Sequence, residues 1–230
     1  LEKRFGYTPL GTFSSAVATD EPAARQAGEG GGLFTLLAYA KTAGVVLRWF
    51  RETFMPSLDY QRLFSRAASV PIGAEGLVCL PHFSGTATPD FDADARGAFA
   101  GFSLAHHVEH MARALVESLT FTVRENLELL SGVAAPEVLR AIGGGAQSDE
   151  WLQMIADACG LPVERPRSRE AACLGAAVLA MVGSGACASV AEAAERVCEV
   201  ETRFEPDLSL RGRYDDAYAR YRDLRARLYG

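Results

Sequence analysis

The stretch that most constrains this chain is VLRAIGGGAQSDEWLQMIADACG, residues 138–160. Three glycines in a row lose more backbone freedom on ordering than any other triplet, so a turn built from them must serve something. The apolar run before them predicts a strand over residues 137–142. The spacing after them predicts a helix from Ser148 or Asp149 to Ala158, stopped by Gly160 and Pro162. Strand, bare turn and helix N-terminus together have the form of a phosphate or nucleotide cradle. Without a Cβ a ligand can touch backbone, and the unpaired amides of the first helical turn face outward. The spacing of GGGAQS is not GxGxxG, and no GxxxxGK[ST] occurs, so neither a Rossmann nor a P-loop site is implied. On these residues alone, nucleotide binding and a plain structural turn remain alternatives.

Strands alternate with helices along the rest of the chain. Residues 7–19 read as strand, tight turn, strand around Leu10-Gly11-Thr12, and residues 30–40 as a further strand. The KTAGVVLRWFRETFM segment switches to helical spacing, with Val46, Trp49, Phe50 and Phe54 on one stripe and Thr42 as cap. Ser57 is placed to cap a second helix. A short strand in EGLVCLPHFSG leads into a Pro-, Asp- and Gly-rich loop and another strand before residue 102. Met111, Leu115, Leu119, Val123, Leu127 and Leu130 mark a long helix that Pro136 stops. Residues 169–185 read as a small-residue helix that lets another backbone pack close, and two more helices follow. The class is α/β.

Composition narrows the function. A net charge of −6 with no Lys/Arg block argues against a nucleic-acid surface. No apolar run is long enough to span a membrane, and no signal peptide opens the chain. The first residue is Leu1, which suggests a trimmed start or a piece of something longer. Cys79, Cys159, Cys173, Cys187 and Cys198 contain no CxxC and read as reduced, buried thiols. His106, His107 and His110 stand within one and a half helical turns with His82 as the one other histidine, and read as a polar first helical turn rather than a zinc site. Asp90, Asp92 and Asp94 lack the Gly and Glu of a calcium loop and read as solvated. Leu10-Gly11-Thr12, and Gly44 with Arg48 one turn on, are weaker candidates. Taken alone they read as a hairpin and an amphipathic helix with a solvated arginine.

Taken in order, LGT, TAGVVLRWF, LPHFSGTATPDFDADARGAFAGF, HMARALVESLTFTVRENLELL, IGGGAQSDEWLQMIADACGLPV and EAACLGAAVLA resemble the C-terminal domain of the FGGY carbohydrate kinases, relatives of xylulose, ribulose and glycerol kinases. The resemblance implies an actin-like ATPase (ribonuclease H-like) domain, a mixed sheet flanked by helices, filling residues 1–230 as one nucleotide-binding domain. It implies a chain that uses ATP and Mg2+ and acts on a sugar or polyol through an N-terminal domain outside this sequence. In its terms Gly144, Gly145 and Ala146 floor the adenosine, and Asp149 replaces a residue that hydrogen-bonds adenine. Gly11 and Thr12 face the β/γ-phosphates, and Gly44 with Arg48 line the other side of the nucleotide, where glycerol kinases carry a neutral amide. The family's general base belongs to the first domain, so no catalytic or metal-ligating residue transfers to this chain, which alone is expected to be inactive. The implied location is cytoplasmic, with no nucleic-acid or membrane partner and homodimerisation left open. The alternative is a nucleotide-sensing or interaction module that kept the fold and lost the chemistry.

Overall fold

A computed structural model describes residues 14–19, 34–131, 136–168 and 170–229. The elements run β1 (Ser14–Thr19), β2 (Phe34–Tyr39), α1 (Gly44–Phe54), α2 (Tyr60–Ser69), β3 (Val78–Leu80), β4 (Ala98–Ala100), α3 (Val108–Leu130), β5 (Leu139–Arg140), α4 (Asp149–Cys159), β6 (Val163–Pro166), α5 (Ala171–Gly183), α6 (Val190–Val197), β7 (Val200–Phe204) and α7 (Arg211–Tyr229). The class is α/β, as the alternating pattern predicts. The described strands form three small sheets: antiparallel β1–β2, antiparallel β3–β4, and mixed β5–β6–β7, in which β6 runs parallel to β5 and antiparallel to β7.

The long helix α3 is the centre. Leu115, Leu119, Leu127 and Leu130 of its predicted stripe are buried, but so are Ala112, Val116 and Phe121 on other faces. A helix apolar along one stripe covers one partner; this one is enclosed. α1 (Val46, Leu47, Phe50), α2 (Leu63, Phe64, Ala67) and α4 (Trp151, Leu152, Ile155) close one core against it, joined by Val163 of β6 and Phe204 of β7. Leu80 of β3 and Tyr214, Tyr218 and Tyr221 of α7 close a second core against Phe121. Trp151 ties the first core together: its ring stacks on Phe64 at 5.4 Å, and its indole N–H donates to Thr120 Oγ1 at 3.0 Å.

Several local expectations are corrected. Thr42 does not cap α1. Its hydroxyl donates to the Pro81 carbonyl at 2.8 Å, and Ala43 occupies the cap position without a side-chain bond. The buried stripe of α1 is Val46, Leu47 and Phe50, while Trp49 and Phe54 are about two-fifths exposed and meet edge to face. Asp59, not Ser57, caps α2 by accepting from the Arg62 N–H at 2.8 Å. The strand predicted over 137–142 contracts to Leu139–Arg140. The small-residue helix α5 receives no close backbone at Gly175, where no heavy atom lies within 4 Å of a Cβ position; its nearest company is α6, through Val178, Cys187 and Ala193. Cys79 and Cys187 are buried thiols, but Cys173 is exposed. Asp90 and Asp94 are exposed, as expected of a solvated loop, and the segment is also tied to α7: Asp90 pairs with Arg225, and the Tyr229 hydroxyl donates to the Arg96 carbonyl. The polar first turn of α3 is as expected, with the His107 N–H donating to His110 Nδ1 at 3.0 Å.

α7 is held to α3 partly through one part-buried carboxyl. Glu125 accepts from the Tyr221 hydroxyl at 3.2 Å and from Arg225 at 3.3 Å. Burial pushes its pKa from 4.5 up to about 7, with the Tyr221 bond and the Arg222 charge pulling the other way. A folded-state pKa above the unfolded one means a contribution fully present below pH 4.5 and lost as pH rises through 7. Glu125→Gln removes that loss. Its melting temperature relative to the parent chain should therefore rise between pH 5 and pH 8, by an amount on the order of 2 kcal/mol, or ~4–8 °C. A pH-independent difference in thermal melts would show that Glu125 does not titrate there.

Candidate functional site

The glycine turn is built from its first residue. Gly143 has φ 78° and ψ −166°, a region closed to side chains. The chain then winds through a single 3-10 turn, Gly144–Gln147, in which the Ala146 N–H donates to the Gly143 carbonyl at 3.2 Å. Ser148 caps α4, accepting from the Trp151 N–H at 3.1 Å and donating to Glu150 at 3.0 Å. Trp151, the third residue of α4, is buried, so the helix start is fixed to the core one turn from the glycines. Ala146 is buried, whereas Gly143 and Gly144 are exposed and no heavy atom lies within 4 Å of a Cβ built at either. The result is a bare, exposed ledge of backbone anchored to the core through Trp151.

Asp149, at the first position of α4, is two-thirds exposed, and its Oδ1 pairs with Arg165 of β6 at 2.6 Å. Arg165 was not legible as a site residue. The signal was present, a cation inside the strand-like LPVERP run, but nothing in the sequence says which turn it reaches.

Gly44 and Arg48 lie at the start of α1, a helix whose first amides lack a side-chain cap. Both are exposed, and Arg48 makes no hydrogen bond or ion pair among the described residues. The structure therefore brings Gly144, Gly145, Ala146 and Asp149 into one turn and Gly44 and Arg48 into another. The two helices bury their apolar faces in the same core, and no hydrogen bond or ion pair joins their N-terminal ends among the described residues. Gly11 and Thr12 lie outside the described residues.

No group of three or more His, Cys, Asp or Glu is placed to hold a metal among the described residues. His82, the remaining histidine, is buried and its Nε2 has no hydrogen-bond partner; burial first, and the Arg225 charge second, lower its pKa to about 4. It lines a small cavity with Thr88, Glu125 and Arg225, apart from the glycine turn. No helix among the described residues is long and apolar enough to cross a membrane.

The fold recurs in known proteins. The crystal structure of xylulose kinase from Rhodospirillum rubrum superposes with a TM-score of 0.77 at 30% identity, over 86% of this chain and 40% of that one. The fold is that of the actin-like ATPases, as the sequence resemblance implies. Residues 14–184 match the FGGY family of carbohydrate kinases, C-terminal domain, and the chain belongs to that family. The xylulose kinase of Bacillus subtilis is 34% identical over 193 residues, 83% of this chain and 38% of its own length. The glycerol kinase of Aquifex aeolicus is 35% identical over 191 residues, 79% of this chain and 37% of its own. The chain thus spans well under half the length of the curated relatives it matches.

The turn geometry separates two glycines that look alike in sequence. Gly143→Val forces a side chain into a glycine-only conformation and should cost about 1–3 kcal/mol. Gly144→Val meets open space at an ordinary φ and should change the melt by no more than about 0.5 kcal/mol. Thermal melts of the two variants check this; equal destabilisation would refute the described turn.

Proposed function

We propose that this chain is the nucleotide-binding half of an ATP-dependent carbohydrate kinase, one domain over residues 1–230, working with an N-terminal half that carries the sugar or polyol site. The observation that carries the reading is the exposed, side-chain-free ledge Gly143–Gly144 at the mouth of a core-anchored helix, in a chain of this family. Gly144, Gly145 and Ala146 would lie under the adenosine and Asp149 beside the base. The uncapped start of α1, with Gly44 and Arg48, would face the anionic end, since free helical amides and a nearby cation suit phosphate. Gly11 and Thr12 would add a backbone and a hydroxyl contact to the β/γ-phosphates. Mg2+ would be held chiefly through the phosphates, as that ion commonly is. The kinase names of the relatives support this over a non-catalytic module, and the cytoplasm, where ATP is plentiful, is the setting it suits.

A sugar hydroxyl is a poor nucleophile near neutral pH and needs a positioned base, and phosphoryl transfer needs charge stabilisation around the moving group. The ledge supplies neither; it positions. Two outcomes follow. MgADP should bind the isolated chain with a dissociation constant between about 50 µM and 1 mM, or about −4 to −6 kcal/mol, and Gly144→Val should abolish that binding while the melt is retained. Isothermal titration of folded protein tests this, and absence of heat at millimolar MgADP would sink the reading. Sugar-dependent ADP release, assayed over ketoses and polyols, should be absent from this chain and present once an N-terminal half is joined in cis. Turnover by the chain alone, free of host kinase, would place the base among its own carboxylates and overturn the division of labour.

A further inference from the structure

Arg165 sits in the middle strand of the mixed sheet with its side chain only 17% exposed. Every branch of its guanidinium is engaged. Nε pairs with Glu201 Oε2 at 3.2 Å and Nη2 donates to Thr202 Oγ1 at 3.1 Å, both on β7; the Phe204 ring lies 5.6 Å from the guanidinium carbon. Nη1 crosses to the glycine turn, where it meets Asp149 Oδ1 at 2.6 Å and, less closely, the Ala146 carbonyl at 3.4 Å. Two β7 contacts already anchor this side chain to the sheet. The shortest contact is nevertheless spent on an exposed carboxylate at the edge of the ledge.

An acidic residue in the first turn of a helix ordinarily faces that helix's own free amides. Asp149 instead gives one oxygen to Arg165, while its Oδ2 makes no hydrogen bond among the described residues. An ionised carboxylate only accepts, and the Arg165 contact to Oδ1 fixes where its free Oδ2 stands. A fixed acceptor beside a nucleotide ledge favours a base that offers N–H at its edge and disfavours one that offers a carbonyl there.

Resting on the nucleotide reading above, the geometry points to Arg165 as a positioning residue that holds the Asp149 carboxylate in one orientation at the edge of the ledge, and through it sets selection of a 6-amino over a 6-oxo purine nucleotide. Hypoxanthine differs from adenine chiefly in replacing the amino donor with a carbonyl, so MgIDP against MgADP isolates the effect. One hydrogen bond to a charged group corresponds to about one to two decades in affinity.

The test is isothermal titration of the chain with MgADP and MgIDP, alongside thermal melts. The parent should prefer MgADP by about tenfold or more. Arg165→Met should reduce that ratio to about threefold or less, and Arg165→Lys should restore part of it, because lysine keeps the charge and loses the fork. Asp149→Asn leaves the β7 anchors of Arg165 in place and should also collapse the ratio, since a rotated amide can donate to the 6-oxo group; it serves if Arg165→Met fails to fold. Weakening of both nucleotides by the same factor in these variants, with the ratio kept, would reduce Arg165 to a structural staple and overturn the proposal. Equal parental binding of both nucleotides, lost together in Gly144→Val, would overturn it while leaving the nucleotide reading standing. Absence of parental binding to either would overturn both.

Discussion

Enclosing a helix on all sides obliges every polar group on it to find a partner inside the protein, and α3 is where this structure meets that demand. Arg113 and Glu117 are each 3% exposed. They pair one turn apart at 2.7 Å; Glu117 also accepts the Gly73 N–H at 2.9 Å, and Arg113 reaches the Tyr214 hydroxyl at 3.3 Å. Burial raises the Glu117 pKa against the pull of Arg113 and that amide. Ser118, Thr120 and Thr122 return their hydroxyls to carbonyls of the preceding turn. A half-satisfied network would cost more than an apolar helix. Here satisfaction requires the Gly73 loop, α7 and α3 to be in register, so the network dictates where the second core closes.

The same helix fixes the ledge. Thr120 bonds back to Val116 while accepting the indole N–H of Trp151, so the first turn of α4 is set by α3. On its other flank α4 meets a sheet too short to be secured by its ladder alone. β5 contributes two residues and β6 four. Charge supplements the ladder: Glu164, 8% exposed, is bridged by Arg140 of β5 at 3.1 Å and Arg203 of β7 at 2.8 Å. The carboxylate is sheltered while both arginines are about half exposed, so the bridges add modestly to the ladder. The glycine turn thus hangs between a packed core and a charge-laced sheet, which explains how residues with so little intrinsic order keep one shape.

Elements with local causes were legible in the sequence. The ends of α4 follow from Ser148 and from Gly160, at φ 69°, each acting within a few residues. The length of α3 follows from a sustained apolar period. What failed depended on contacts across the fold. Thr42 looked like a cap because threonine commonly is one, and a carbonyl thirty-nine residues away captured its hydroxyl. Trp49 fitted the α1 stripe by spacing, and the actual tilt of the helix on the core preferred Leu47. At the candidate site, the glycine turn was readable from one contiguous motif, and Asp149 through the family resemblance that motif carries. Arg165 was not, since its partnership with Asp149 exists only once β6 has been placed beside the turn.

Two arginines differ in what folding has already fixed. Arg165 has every branch occupied, so its rotamer entropy is already spent in folding and it can fix a neighbour at no further cost on binding. Arg48 is exposed and unbonded among the described residues, so any contact it makes to a ligand must order its side chain at that moment, at about 0.5–1.5 kcal/mol. On the proposed nucleotide reading, a fixed cation would stand on the side of the base and a free one on the side of the phosphates. That asymmetry suits a surface that selects the nucleotide by its base while its phosphate end is still open, leaving the charge around the phosphates to be completed when a second wall closes over it.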